Sequence, residues 1–335
     1  MLIGILGSGR FGTALTLSLA SKFQVVQWIR NESLYKHILT YRENITYAPG
    51  YKYPDNIKVV NSLEEFSKFT RDQVVISALP AQVSFDIWKS LKNYDFKPKY
   101  FICASKGIDL ERKDFLSNLF KNIYKDIFYF ALSGPSFAKL ILEKKPTNLV
   151  LAGENKSLVL KLIKTLSIYP LHLYGSLDLI GVQIGGALKN IYAIAAGICD
   201  GLNLGENAKA ALITRSIKEM MSFASKFGAD PKTLNGLSGM GDLVLSSYSK
   251  LSRNYSLGYL IGKLKRFPTK NELNNYFGKN TIEGIATTKV VYQFKLKHNI
   301  YMPILESLYN FIYKNASLDS LIEKLISREP KMEFD

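Results

Sequence analysis

Six residues near the start of the chain constrain its fold most strongly. Gly7-Ser8-Gly9-Arg10-Phe11-Gly12 follows the apolar run Leu2–Leu6 and opens an amphipathic helical pattern. The first glycine allows a tight turn, the second lets a ligand approach the backbone, and the third lets helix and strand pack closely. The motif in this context predicts a strand–turn–helix unit whose helix N-terminus faces the pyrophosphate of a dinucleotide.

Short apolar runs alternate with helical patterns through the first half of the chain. Most runs are continuous rather than alternating in polarity, as expected for strands that are covered on both faces. This pattern predicts an α/β doubly wound (Rossmann) sheet with mostly parallel strands. The predicted strands are Leu2–Leu6, Gln24–Ile29, Ile57–Val60, Val74–Leu79, Tyr100–Ala104, Phe128–Leu132 and Leu149–Ala152, and whether Leu171–Tyr174 adds a last strand stays open.

The character of the sequence changes from about Asp178, where long helical patterns replace the strands. We therefore predict a Rossmann domain over residues 1–176 and an all-α substrate and catalytic domain over residues 177–335. The segment Leu179–Cys199 is long enough to span a bilayer, but it carries Lys189 at its centre. A lysine at mid-bilayer costs about 2.5 kcal/mol or more, so we expect a buried helix and no membrane span.

Composition and charge narrow the classes of partner that this chain could bind. The net charge of +16 would suit nucleic acid, an anionic membrane or a phosphorylated small substrate, but the lysines are dispersed and no nucleic-acid motif is present. We expect a solvated basic surface and no nucleic-acid partner.

The start of the chain bears on its compartment. The chain enters a strand without an export leader, which favours the cytoplasm. The oligomeric state stays open, with a homodimer as one option. We expect Cys103 and Cys199 to be buried thiols. No metal site is expected, because His37, His172 and His298 lack the spacing of metal ligands.

The end of the second strand bears on the choice of cofactor. An acidic residue there accepts the ribose hydroxyls of NAD, whereas an arginine accommodates the 2′-phosphate of NADP. This strand runs into Arg30, and Glu32 follows two residues later. We therefore expect NAD or NADP, with Arg30 as a plain surface residue being the alternative.

Lys189 is the most informative residue outside the glycine turn, because its helix is otherwise almost uncharged. Burial depresses the pKa of a lysine and suits the amine to general acid and base catalysis, which the reduction of a ketone requires. Gly185 and Gly186 favour a site, since they let a ligand or cofactor approach. The alternative is a structural lysine that reaches the surface or pairs with a carboxylate.

Other candidates follow predicted strands or begin helices. Ala104-Ser105-Lys106-Gly107 and Ser133-Gly134-Pro135-Ser136-Phe137-Ala138 each end a strand, where α/β sites assemble. Ser252-Arg253-Asn254 offers a guanidinium between small polar residues, which suits a phosphate. Each could also be an ordinary turn or surface feature.

Together these segments resemble the bacterial-type NAD(P)-dependent glycerol-3-phosphate dehydrogenases almost end to end. The resemblance also rests on the run from Gly181 to Asn190, on Ala211-Leu212-Ile213-Thr214-Arg215, on Gly241-Asp242-Leu243 and on Glu283-Gly284. It implies interconversion of glycerol 3-phosphate and dihydroxyacetone phosphate, with glycerol 3-phosphate supplied for phospholipid synthesis.

The resemblance also assigns residues. Lys189 would accept the proton during oxidation and donate it in the reverse reaction. The substrate residues would be Lys106, Gly134, Ser136, Lys189, Asp242, Ser252, Arg253 and Asn254. The cofactor residues would be Gly7, Gly9, Arg10, Phe11, Gly12, Arg30, Lys106, Ala138, Arg253 and Glu283.

Two alternatives remain at this point. One is another Rossmann-type dehydrogenase that acts on a β-hydroxy acid or on ketopantoate; hydroxyacid enzymes typically carry an asparagine one helical turn after the lysine, where this chain has Ala193. The other is a non-enzymatic dinucleotide-binding protein, since a fold alone does not determine function.

Overall fold

The computed structural model describes residues 1–278, 282–326 and Met332. The chain forms two compact units, Met1–Gln183 and Ile184–Asp335. The boundary between the units lies inside a long helix that begins at Leu179. The predicted domain division between residues 176 and 177 precedes this helix and stays a prediction.

The first unit is built from strands and helices in alternation. Its strands are β1 (Leu2–Leu6), β2 (Gln24–Trp28), β3 (Ile57–Val60), β4 (Val74–Ser77), β5 (Tyr100–Cys103), β6 (Ile108–Asp109), β7 (Asp114–Phe115), β8 (Phe128–Ser133), β9 (Thr147–Ala152) and β10 (Leu171–Ser176). Its helices are α1 (Arg10–Leu19), α2 (Glu32–Tyr41), α3 (Leu63–Thr70), α4 (Ala81–Leu91), α5 (Leu116–Ile123), α6 (Ala138–Leu142) and α7 (Lys156–Leu166), with a 3₁₀ turn at Lys92–Tyr94.

Eight of these strands form one sheet in the order β10-β9-β8-β5-β4-β1-β2-β3. Neighbouring strands are parallel except β8 and β9, which are antiparallel. This confirms the predicted doubly wound, mostly parallel sheet. The question left open at Leu171 is answered as well, because β10 pairs with β9 in parallel, Leu171 opposite Thr147.

Burial explains why the strands read as continuous apolar runs. All four residues of β4 are buried, because helices cover both faces of the sheet. The predicted strand Val74–Leu79 is two residues too long, since Leu79 is buried beyond the end of the hydrogen-bonded ladder. Side-chain caps start several helices; the Asn31 side chain, for example, accepts a hydrogen bond from Leu34 N at 2.7 Å and begins α2.

Helices make up the second unit, and its described part contains no strand. They are α8 (Leu179–Gly201), α9 (Glu206–Lys226), α10 (Asp242–Tyr248), α11 (Arg253–Leu264), α12 (Lys270–Phe277), α13 (Glu283–Lys297), α14 (Pro303–Tyr313) and α15 (Leu318–Ile326). A 3₁₀ turn at Pro231–Asn235 and a π-helical turn at Leu237–Gly241 precede α10. The predicted all-α second half is confirmed.

Helix α8 organises this unit. Its most apolar 18-residue window is 94% buried, as predicted from the sequence. Glycines let α11 cross it backbone to backbone: a Cβ atom at Gly197 would lie 2.1 Å from the carbonyl oxygen of Tyr255, and one at Gly258 would lie 1.9 Å from that of Ile194. This close crossing sets the position of the N-terminus of α11 against the middle of α8.

Candidate active site

The glycine turn between β1 and α1 has the geometry that a tightly bound ligand requires. Gly7 has a φ of +113°, which side chains rarely adopt. A Cβ atom at Gly12 would lie 2.4 Å from the carbonyl oxygen of Gly7, so the helix packs directly on the turn. A Cβ atom at Gly9 would meet nothing within 4 Å, which leaves open space beside the helix N-terminus. These features fit a dinucleotide pyrophosphate.

Three predicted cofactor side chains lie around this turn and at the end of β2. Arg10 and Arg30 are exposed, and neither forms an ion pair within the part of the chain that the structure describes. Phe11 is half-buried and packs against the core of the sheet. Glu32, the acidic residue nearest the end of β2, forms an exposed ion pair with Lys36 at 2.7 Å.

The other predicted residues of the first unit follow β5 and β8. Lys106 is half-buried after β5, and Gly134 follows β8 with a φ of +136°. The Ser136 hydroxyl donates to the Gly134 carbonyl oxygen at 3.0 Å, and Ala138 begins α6. Because β1, β2, β5 and β8 run in the same direction, these residues and the glycine turn lie at one edge of the sheet.

In the second unit, Lys189 is buried and charge-paired. Its ammonium donates to the carboxylate of Asp242 and to the hydroxyl of Ser246, the latter at 2.8 Å. Lys189 is 6% exposed and Asp242 is 0% exposed. Pairing with a carboxylate belonged to the structural alternative for Lys189, but the partner is itself a predicted substrate residue. The ion pair with Asp242 is therefore compatible with a structural role of Lys189 and also with a catalytic one.

The environment of α8 explains how this pair forms. A Cβ atom at Gly185 would lie 2.3 Å from the carbonyl oxygen of Ser238, in the π-helical turn before Asp242. The space at Gly185 is thus filled by the chain's own backbone, which corrects the expectation that a ligand approaches there. Ser246 was missed in the sequence analysis, although a position one helical turn after Asp242 shares its face of α10.

The N-termini of α11 and α13 meet beside Asn190, the residue that follows Lys189 on α8. Ser252 caps α11 by accepting a hydrogen bond from Tyr255 N at 3.3 Å. The Asn254 side-chain oxygen accepts from Gly284 N at 2.9 Å, and Asn190 donates to Glu283 at 3.4 Å. The structure thus brings Lys189, Asp242, Ser252, Arg253, Asn254 and Glu283 onto converging elements of one unit, together with Asn190, which was not among the predicted site residues.

Arg253 differs from its neighbours in this cluster. It is exposed and makes no ion pair or hydrogen bond through its guanidinium with the described residues. A guanidinium presents a fixed fork of donors that matches the oxygens of a phosphate. Among the described residues, no group of three or more His, Cys, Asp or Glu side chains could hold a metal ion, and Cys103 and Cys199 are free, buried thiols, as predicted.

A doubly wound sheet with an open glycine turn, followed by a helical unit with a buried lysine–carboxylate pair, defines a dinucleotide-dependent dehydrogenase of the two-unit type. The family profile for the NAD-dependent glycerol-3-phosphate dehydrogenase N-terminus matches residues 2–159, and the profile for the C-terminus of the same family matches residues 178–323. The chain belongs to the NAD-dependent glycerol-3-phosphate dehydrogenase family, which confirms the predicted resemblance.

Individual proteins of this family are similar to the chain over nearly their whole length. The chain is 36% identical to glycerol-3-phosphate dehydrogenase [NAD(P)+] of Brachyspira hyodysenteriae, over 99% of this chain and 98% of that protein. It is 38% identical to the enzyme of the same name from Ehrlichia ruminantium, over 98% and 100% of the two chains. The crystal structure of glycerol-3-phosphate dehydrogenase from Coxiella burnetii superposes with a TM-score of 0.90 at 31% identity, over 98% and 99% of the two chains.

Proposed function

We propose that this chain is an NAD(P)-dependent glycerol-3-phosphate dehydrogenase that interconverts sn-glycerol 3-phosphate and dihydroxyacetone phosphate. The observation that carries the proposal is the buried ammonium of Lys189, bound to Asp242 and Ser246, in a chain that matches this family in both halves. When bound, the nicotinamide cofactor accepts or supplies the hydride.

Lys189 moves the proton in this proposal. In the oxidation of glycerol 3-phosphate, its amine takes the proton of the hydroxyl group; in the reverse direction, its ammonium donates a proton to the ketone oxygen. Asp242 and Ser246 hold the terminal nitrogen in one position, because both accept hydrogen bonds from it. A positioned group is more effective than a mobile lysine, since the orientation is established before the reaction.

The phosphate of the substrate is assigned to Arg253. Its guanidinium is exposed and without an ion pair among the described residues, so binding a phosphate breaks no existing ion pair. Ser252 and Asn254 flank it at the N-terminus of α11, where the helix dipole favours an anion. The further substrate residues of the proposal are Lys106, Gly134, Ser136 and Asp242.

The glycine turn of the Rossmann domain, residues 1–176, is assigned to the pyrophosphate of the cofactor, and the all-α domain, residues 177–335, supplies Lys189 for proton transfer. Gly7, Gly9 and Gly12 form the cradle for the pyrophosphate. Arg30 supports the use of NADP beside NAD, and the ion pair of Glu32 with Lys36 favours the same reading. The further cofactor residues of the proposal are Arg10, Phe11, Lys106, Ala138, Arg253 and Glu283.

We also propose a cytoplasmic enzyme that supplies glycerol 3-phosphate for phospholipid synthesis, with no nucleic-acid partner and no membrane span; a homodimer stays one option for its assembly. The dispersed lysines support the absence of a nucleic-acid partner, and the burial of α8 supports the absence of a membrane span. The homodimer is testable by analytical ultracentrifugation, where a mass near twice that of the chain supports it and a monomer mass refutes it.

One assay tests the central assignment. Purified protein is given NADH or NADPH together with dihydroxyacetone phosphate, ketopantoate or a β-keto acid, and cofactor absorbance is followed. We expect oxidation of both cofactors with dihydroxyacetone phosphate. Turnover with ketopantoate or a β-keto acid but not with dihydroxyacetone phosphate would overturn the proposal.

A further inference from the structure

Buried side chains donate hydrogen bonds to two carbonyl oxygens of the glycine turn, those of Gly7 and Ser8. The Gln27 amide donates to the carbonyl oxygen of Gly7 at 3.0 Å. The carbonyl oxygen of Ser8 accepts from the Asn44 amide at 3.0 Å and from the Thr13 hydroxyl at 3.2 Å. Gln27, Asn44 and Thr13 are each 0% exposed. We call these three residues the turn support.

Further hydrogen bonds link the residues of the turn support to one another and to neighbouring residues. The Asn44 amide also donates to the Thr13 hydroxyl at 2.9 Å, and its side-chain oxygen accepts from Tyr47 N at 3.1 Å. The side-chain oxygen of Gln27 accepts from the Tyr53 hydroxyl at 2.8 Å. A buried amide without partners is costly, so a network in which each of these groups finds a partner specifies one arrangement.

Peptide planarity transmits this arrangement to the open side of the turn. In a trans peptide, the N–H group points opposite to the preceding carbonyl group. Holding the carbonyl oxygens of Gly7 and Ser8 inward therefore directs the N–H groups of Ser8 and Gly9 outward. Within the described ranges, neither N–H group has a protein acceptor, and the space beside Gly9 is open for at least 4 Å around a Cβ position.

We infer that Asn44, Thr13 and Gln27 are positioning residues for cofactor binding, because they orient the N–H groups of Ser8 and Gly9 toward the pyrophosphate without touching it. The inference rests on the proposed use of NAD(P). It gives the segment between α2 and β3, residues 42–56, a role in cofactor affinity, since Asn44 reaches the turn from this segment.

A pair of substitutions at Thr13 separates orientation from packing. Thr13→Val keeps the shape of the side chain and removes the hydroxyl, whereas Thr13→Ser keeps the hydroxyl and removes a methyl group. NADH dissociation constants are measured by fluorescence titration, and thermal unfolding is measured without cofactor. We expect the Thr13→Val protein to bind NADH about tenfold more weakly, because the Ser8 carbonyl oxygen loses one hydrogen bond and the Asn44 amide loses an acceptor. The Thr13→Ser protein, which keeps both hydrogen bonds, should bind within about twofold of wild type.

A second pair controls for the loss of a side-chain amide that donates to backbone carbonyl groups. Asn44→Leu removes the donor to Ser8, while Asn56→Leu removes an amide that donates to the carbonyl oxygens of Ala20 and Phe23, at the other end of α1. Both proteins should be less stable. The NADH dissociation constant should rise about tenfold for Asn44→Leu alone, with the kcat at saturating NADH and the KM for dihydroxyacetone phosphate unchanged.

The outcomes separate this inference from the proposed function. If wild type binds NADH and Thr13→Val binds it equally well, or if Thr13→Ser weakens binding as much as Thr13→Val, the positioning role is wrong and the proposed function stands. A wild-type protein that does not bind NADH overturns both. If Asn44→Leu does not fold, the two Thr13 variants decide the question.

Discussion

Replacing Lys189 with methionine tests the proposed chemistry most directly. The substitution removes the charge and the proton while keeping much of the volume of the side chain. A positioned general acid or base contributes about 10²- to 10⁴-fold to a rate. We therefore expect kcat/KM for dihydroxyacetone phosphate to fall about 10²- to 10⁴-fold, which corresponds to about 3–5 kcal/mol of transition-state stabilisation. The assay is NADH oxidation at several substrate concentrations.

The same substitution affects stability, because Asp242 is 0% exposed and loses the ammonium beside it. Breaking a buried ion pair costs about 3–5 kcal/mol. Asp242 is the first residue of α10, where the helix dipole offsets about 1 kcal/mol of that cost. We expect the free energy of unfolding, measured in urea, to fall by about 2–4 kcal/mol.

A double variant separates the two effects. Lys189→Met combined with Asp242→Asn removes both charges, so most of the lost stability should return while the activity stays low. The reasoning is refuted if Lys189→Met retains more than a tenth of the wild-type kcat/KM. It is also refuted if the double variant regains activity along with stability, since Lys189 would then only neutralise Asp242.

Three further predictions concern the glycine turn, the phosphate and alkaline pH. Gly12→Ala should lower the free energy of unfolding by about 1–3 kcal/mol, because the new Cβ atom would lie 2.4 Å from the carbonyl oxygen of Gly7. Gly9→Ala meets nothing within 4 Å, so stability should change by less than about 0.5 kcal/mol while the NADH dissociation constant rises at least about tenfold; normal NADH binding by this variant would contradict the pyrophosphate assignment. Arg253→Ala should raise the KM for dihydroxyacetone phosphate about 10- to 100-fold with an unchanged melting temperature, since its exposed guanidinium has no ion pair among the described residues; an unchanged KM would exclude the phosphate role. Burial raises the pKa of Tyr53 to about 12 from an ordinary value of 10.0, so its stabilising contribution is complete below about pH 10 and is lost as the pH rises toward 12. The free energy of unfolding should therefore fall less between about pH 9 and about pH 11 in Tyr53→Phe than in wild type, and equal losses in urea titrations at both pH values would refute this.

The sequence by itself determined the architecture of both halves, because the signals for it are local. A glycine turn can be recognised from six adjacent residues and a covered parallel strand from four or five apolar ones. A buried helix can be recognised because it carries one charge over about twenty positions. Lys189 was conspicuous for the same reason, since an ammonium in an apolar helix must have a partner or a function.

The tertiary structure decided which groups surround these local signals. Asp242 lies 53 residues from Lys189, and Asn44 lies 36 residues from the carbonyl group of Ser8 that it holds. No periodicity encodes such pairs, because they arise only when helices cross or a connecting segment folds back under a turn. The fold also decided that Gly185 accommodates the chain's own backbone, since packing rather than spacing determines what fills the room beside a glycine.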